Sequence, residues 1–194
     1  MTVARRPVCS HAAFAVLAFV SLGSSGSEAF ELDTADMQRD GPAYVLEIEA
    51  RFEASPEALL AVLTDYAHVH ELHPQLLESR SLGLVGPDTE EVYTRLEGCV
   101  LMFCRTLHRV EHIRRDDDDL IATDVPGRGS FSEGRTEWHF TDHEGGARLQ
   151  YRTRFVPAFS VSPLFGAAAL ARSVEQMTLE TMAEVDRRAV SRDE

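Results

Sequence analysis

Residues 44–66 read Tyr44-Val-Leu-Glu-Ile-Glu-Ala-Arg-Phe-Glu-Ala-Ser-Pro-Glu-Ala-Leu-Leu-Ala-Val-Leu-Thr-Asp-Tyr66, and two periods meet in them. The first half alternates. Tyr44, Leu46, Ile48, Ala50 and Phe52 share one side; Glu47, Glu49, Arg51 and Glu53 share the other. That pattern predicts a half-buried strand. At Ser55 the period changes. Ser suits a helix N-cap, Pro56 the first helical position, and Glu57 the positive helix end. Leu59, Leu60, Val62, Leu63 and Tyr66 then follow at helical spacing, and the helix is expected to end near Asp65. A short helix or irregular turn covers Ala67 to His73, before Pro74.

Downstream the pattern is strand and turn. Breaks fall at Gly86-Pro87-Asp88, Asp116 to Asp119, Pro126 to Gly129 and Glu144-Gly145-Gly146. Between them lie expected strands at 76–85, 90–97, roughly 104–114, 119–125, 134–141 and 147–156. Thr136, Trp138 and Phe140 share a face, as do Leu149, Tyr151, Thr153 and Phe155. Ser162-Pro163 repeats the cap-and-proline start. Ala167, Leu170, Val174, Met177, Thr181 and Val185 then stripe one face of a long helix expected to reach about Arg188. Upstream, residues 30–42 are polar, end in Asp-Gly-Pro and read as a linker to a domain spanning 43–190.

The first 29 residues read as a signal peptide. Arg5 and Arg6 precede an uncharged apolar run from Ala12 to Leu22, and Ser27 and Ala29 suit cleavage after Ala29. The run is short for a membrane span, which needs about 20 residues. The expected location is periplasmic or secreted. Loss of Arg5, Arg6 and Glu28 takes the net charge from −13 to −14. Such a chain is repelled by phosphate backbones, which argues against nucleic acid as a partner. Every basic residue is Arg, which removes Schiff-base lysine chemistry. No cofactor motif is present.

One strand, a helix pair, six strands and a long final helix resembles the START-like helix-grip superfamily, in particular its polyketide-cyclase and coenzyme-Q-binding subgroups. The likeness rests on Ser55 to Tyr66, Pro74, the segment Gly134-Arg135-Thr136-Glu137-Trp138, and the late helix from Ser162. Members often carry an aromatic before that proline; this chain has His73. The resemblance implies an α+β fold, with a curved antiparallel sheet of about seven strands around the C-terminal helix. It also implies an apolar cavity between sheet and helix. Members hold lipids, isoprenoids, sterols or polyketides there, and a few are cyclases or hydrolases.

On that frame the expected ligand-binding residues are Tyr66, Leu72, Trp138, Phe140, Tyr151, Phe155, Leu170, Val174 and Met177. Met177 and Met182 are flexible enough to adapt to an apolar guest. His108 and His112 share a strand face, with Asp124 near on the next strand; with Tyr66 they are the candidates for acid–base catalysis. Asp65, His68, His70 and His73 offer metal-ligand chemistry, but only His70 and His73 share a helix face, so a solvated cluster is expected. The run Arg114 to Asp119 lacks calcium-loop spacing and reads as a solvated turn.

Cys99 and Cys104 are an even pair in an exported chain, which favours a disulfide. In a straight strand their Cα atoms would lie about 16 Å apart, beyond the roughly 7 Å a disulfide allows. The bond therefore demands a turn, with Val100, Leu101, Met102 and Phe103 at its tip. An apolar tip beside a cavity mouth suits transient membrane contact. The rival reading turns at Glu97-Gly98 and runs one strand from 99 to 113 with free thiols. Three functions compete: a carrier or sensor of a hydrophobic small molecule, a cyclase- or hydrolase-type enzyme in the same cavity, and a protein-interaction domain with a filled core.

Overall fold

The computed structural model describes residues 30–100, 103–161 and 166–193. The expected signal peptide, the tip residues Leu101 and Met102, and the Ser162-Pro163 helix start lie outside the described residues.

Among the described residues, eight strands form one antiparallel sheet: β1 (Phe30–Asp40), β2 (Ala43–Phe52), β3 (Leu76–Gly86), β4 (Thr89–Val100), β5 (Phe103–Asp116), β6 (Asp119–Asp124), β7 (Phe131–His143) and β8 (Gly146–Pro157). Their spatial order is β1-β2-β8-β7-β6-β5-β4-β3. Helix α1 (Pro56–Leu63) and a 3-10 turn (Val69–Leu72) join β2 to β3, and α2 (Gly166–Asp193) closes the chain. The α+β helix-grip expectation is met.

The opening stretch folds as its periods require. In β2, Leu46, Ile48 and Ala50 are buried while Glu47 is exposed. Ser55 Oγ accepts from the Ala58 N–H at 3.3 Å, and Pro56 begins the helix. The Asp186 carboxylate of α2 accepts from the N–H of Ala54 at 3.1 Å and of Glu53 at 3.4 Å. It thereby fastens the long helix to the strand–helix junction.

Residues 30–40 are not a linker. They form β1, in register with all of β2, and bring the count to eight strands. Ala35 and Met37 pack on the core from this edge, and Phe30 stacks on Phe52 at 5.7 Å. A register shift between Leu32 and Thr34 interrupts the alternation. Glu97 faces Thr106 and Gly98 faces Arg105, so the hairpin does not turn there: Cys99 pairs with Cys104 across the β4–β5 ladder, disulfide-bonded. The free-thiol, single-strand reading is set aside.

Helix α2 divides along its length. Met182, Val185, Asp186 and Ala189 are at most 1% exposed. Leu170, Val174, Met177 and Thr178 are only half-buried, because this half spans a cavity instead of a packed wall.

Candidate ligand-binding site

Two lobes lie between the inner face of the sheet and α2. The lobe beside α1, about 210 Å³, is walled by Tyr66, Leu72, Leu76, Val92 and Trp138 among others. The lobe at the other end, about 150 Å³, is walled by Phe131, Phe155, Phe159, Leu170 and Val174, with Gly98 and Cys99 on the hairpin side. Leu96, Arg109, Tyr151, Met177 and Thr178 belong to both walls, so the lobes abut. A larger concavity of about 430 Å³ lies on the outer face. It is lined by charged side chains that already have partners: Arg152 on Glu47 at 3.2 Å, and His139 on Asp119. It lacks the apolar walls of a site for small hydrophobic ligands.

The boundary between the inner lobes is charged. Arg109 Nε donates to Asp124 Oδ1 at 3.0 Å, and Nη2 to Oδ2 at 3.1 Å. Nη2 also lies 3.0 Å from Glu111 Oε1. The guanidinium stacks over Phe131, 5.1 Å from its centroid. Burial alone would depress the Arg109 pKa, but Glu111 and Asp124 outweigh it and keep the cation charged. Burial pushes the Glu111 pKa up; Asp124 adds to the rise, and Arg109 opposes it. Space for the pair comes from β7. A Cβ at Gly134 would lie 1.8 Å from Asp124 Oδ2 and 2.8 Å from Arg109 Nη2.

The two phenols are neutral near pH 7. Burial lifts Tyr66 to about 12, helped by Glu90 and Glu111. Burial lifts Tyr151 to about 12 against hydrogen bonds to Thr153 and Thr178. They serve as donors and apolar walls, not as bases.

Most of the expected ligand residues line this space. Tyr66, Leu72 and Trp138 lie in the α1 lobe, Phe155, Leu170 and Val174 in the other, and Tyr151 and Met177 in both. Phe140 does not. It is 1% exposed and packs edge-on to Phe52 at 6.2 Å, one layer deeper. Met182 is likewise core.

His108 and His112 point away from the cavity, because inward positions on β5 are Leu107, Arg109, Glu111 and Ile113. His108 is exposed beside Ser130, and His112 Nε2 lies 3.3 Å from Glu91. Asp124 serves Arg109 instead of either histidine. The histidine side chains are dispersed among separate partners: His68 with Asp65 at 2.8 Å, His70 with the Ser79 hydroxyl at 3.4 Å, and His73 with Glu180 at 2.9 Å. Glu97, Cys99 and Cys104 are the one close group of metal-ligating types among the described residues. The disulfide removes their thiolates. Asp116 to Asp119 form the β5–β6 turn, with Asp117 at φ 50°.

The sequence pattern does not single out Arg109 or Glu111, and it marks Gly134 only as part of the segment that carries the resemblance, not as a site residue. The available signal was a charged pair on the same strand parity as Leu107 and Ile113.

A family profile described as polyketide cyclase / dehydrase and lipid transport matches residues 45–189. Among solved structures, the Zhui aromatase/cyclase from Streptomyces sp. R1128 is similar at 13% identity and TM-score 0.63, covering 82% of this chain and 97% of that one. A STAR-related lipid transfer protein from Xanthomonas axonopodis is similar at 14% identity and TM-score 0.63, covering 84% and 99%. The human StarD13 lipid transfer and protein localization domain gives 12% identity and TM-score 0.57, covering 83% and 89%. No curated protein matches by sequence. At these identities the structural likenesses speak for the fold.

Proposed function

We propose, from the premise that the chain belongs to the polyketide cyclase / dehydrase and lipid transport family, that it is an exported carrier or sensor of a hydrophobic small molecule. The coarse part, a START-like helix-grip domain for hydrophobic ligands, follows from that membership and from the fold. The observation that carries the finer reading is the two-lobed apolar space held open by the half-buried stretch of α2. A filled-core interaction domain would close that space with larger side chains. The cyclase reading loses both of its histidines, which face outward, and keeps Tyr66 as a proton donor only, not as a base.

Native mass spectrometry of protein purified from its own host tests the carrier reading. A co-purified lipid, isoprenoid, sterol or polyketide is expected. Ligand-free protein that also fails to take up such compounds would overturn it.

Export is part of the proposal and draws support from the disulfide, which persists in oxidising compartments. N-terminal sequencing of the mature protein should begin at Phe30; a cytoplasmic protein beginning at Met1 contradicts it. Transient membrane contact through Val100, Leu101, Met102 and Phe103 is proposed from the hairpin's position. Its disulfide end borders the lobe away from α1 through Cys99, whose carbonyl accepts from Ser173 Oγ of α2 at 3.0 Å. Reduction should weaken liposome association more than it lowers thermal stability. Equal association before and after reduction argues against a role for the tip.

A further inference from the structure

Where β4 runs into β5, three side chains of metal-ligating types come together. Cys99 and Cys104 stand directly opposite each other in the ladder, and Glu97 lies two positions before Cys99 on the same strand face. One ligand atom from each, two Sγ and a carboxylate oxygen, lies within 4.8 Å of the other two. Cys104 is exposed, while Glu97 and Cys99 are half-buried, so the group is open to solvent on one side and shielded on the other. Arg95, two positions further back on that face, is engaged by Glu78 at 3.2 Å. At present the two sulfurs are bonded to each other. Reduction would turn the same three side chains into two thiolates and a carboxylate already gathered at one point.

We infer that Glu97, Cys99 and Cys104 form a redox-gated metal site: a disulfide when oxidised, and a three-ligand site for zinc or a similar thiophilic divalent cation when reduced. Two thiolates select a soft cation, and a single carboxylate is too little for calcium or magnesium, which need several oxygen ligands. Ligand atoms around a tetrahedral zinc lie roughly 3.5–3.8 Å apart. Side-chain rotation supplies that spacing once the covalent bond is gone, because ladder pairing already holds the two backbones together. Water takes the fourth position, as in other zinc sites with three protein ligands. The reductant is a dithiol. One of its thiolates attacks Sγ of Cys104, the exposed partner, which forms a mixed disulfide and breaks the Cys99–Cys104 bond. The second thiol then displaces Cys104. The dithiol leaves as its own disulfide, and its two hydrogens end on Cys99 and Cys104. Zinc releases those two protons as it binds. Disulfide and metal are thus alternative clasps for one hairpin end, whose Cys99 carbonyl is held by Ser173 of α2. The inference does not depend on the carrier reading.

The test titrates Co2+, a spectroscopic substitute for zinc, into the whole chain carrying Cys9→Ser, so that only this pair can supply thiolate. The protein is reduced with a phosphine, which does not compete for the metal as a dithiol would. A near-ultraviolet thiolate-to-cobalt band should grow to one metal per chain and vanish when Zn2+ is added. The oxidised protein should show no such band. Glu97→Gln should weaken Zn2+ binding by about tenfold or more, since loss of an outer-shell partner alone costs that much. Zn2+ should also raise the melting temperature of the reduced protein and leave that of the oxidised protein unchanged, which separates a site in the fold from thiols of an unfolded chain. A missing thiolate band, two chains per metal, unchanged affinity in Glu97→Gln, or the same melting temperature of the reduced protein with and without Zn2+ overturns the inference. Each of those outcomes leaves the carrier reading standing.

Discussion

Gly134 has no side chain where β7 passes the Arg109–Asp124 pair, and the pair depends on that gap. Gly134→Ala would place a methyl 1.8 Å from Asp124 Oδ2, so Asp124 must leave its bidentate position. We expect a loss of about 3 kcal/mol in urea denaturation, the size of a broken buried ion pair. A loss within about 0.5 kcal/mol, the range for neutral surface changes, would mean that the pair moves freely. Glu111 gives a pH signature. Its pKa is raised in the folded state by burial, so folding favours its protonated form. That favourable contribution is complete below the unfolded pKa and is lost as pH rises through the folded one. Glu111→Gln mimics the protonated form. It should raise the melting temperature at neutral pH, with a benefit that fades on acidification. A benefit that grows toward acid would contradict the assignment. These residues were hard to read in advance because charge on a strand normally marks the solvent side. Only the pairing of strands shows that β5 turns Arg109 and Glu111 inward, and that Asp124 and Gly134 sit against them.

The elements were far more legible than the cluster. Strand β2, its Ser55 cap and α1 are local patterns that tertiary packing reinforces. Most walls of the cavity followed from strand parity and from the stripe on α2. Strand β1 was missed for a physical reason. It is an edge strand with polar residues on much of both sides, and its bulge between Leu32 and Thr34 breaks the period. Yet it carries weight. Removing residues 30–40 exposes the edge of β2 and strips Phe30, Ala35 and Met37 from the core margin. The truncated protein should lose about 2–4 kcal/mol, as for one or two apolar side chains. It should also self-associate in light scattering, because a bare edge recruits other strands. Unchanged stability in a monomeric truncation would make β1 dispensable. The Cys99–Cys104 bond is a different kind of fastening. It encloses four residues, so replacing both cysteines by Ser should cost less than the roughly 3 kcal/mol expected for a much longer loop. A larger loss would show that the bond supports more than the hairpin.

At the scale of the molecule, sheet and helix meet in two unlike ways. One end is a packed core, where Met182 and Val185 lie against β2 and α1; the other is a vault roofed by Leu170, Val174 and Met177. A single 28-residue helix spans both. Local opening costs least where few apolar contacts must break. The α2 backbone should therefore not open as one cooperative unit. In hydrogen–deuterium exchange, amides before Met177 should exchange through partial unfolding, well ahead of those around Val185, which should wait for global unfolding. Uniform protection along α2 would contradict this division. The gradient also makes the helix a gauge of occupancy. A guest filling the vault should slow the fast half and leave the slow half at its original rate, so that binding is registered as protection spreading toward the N-terminal end of α2.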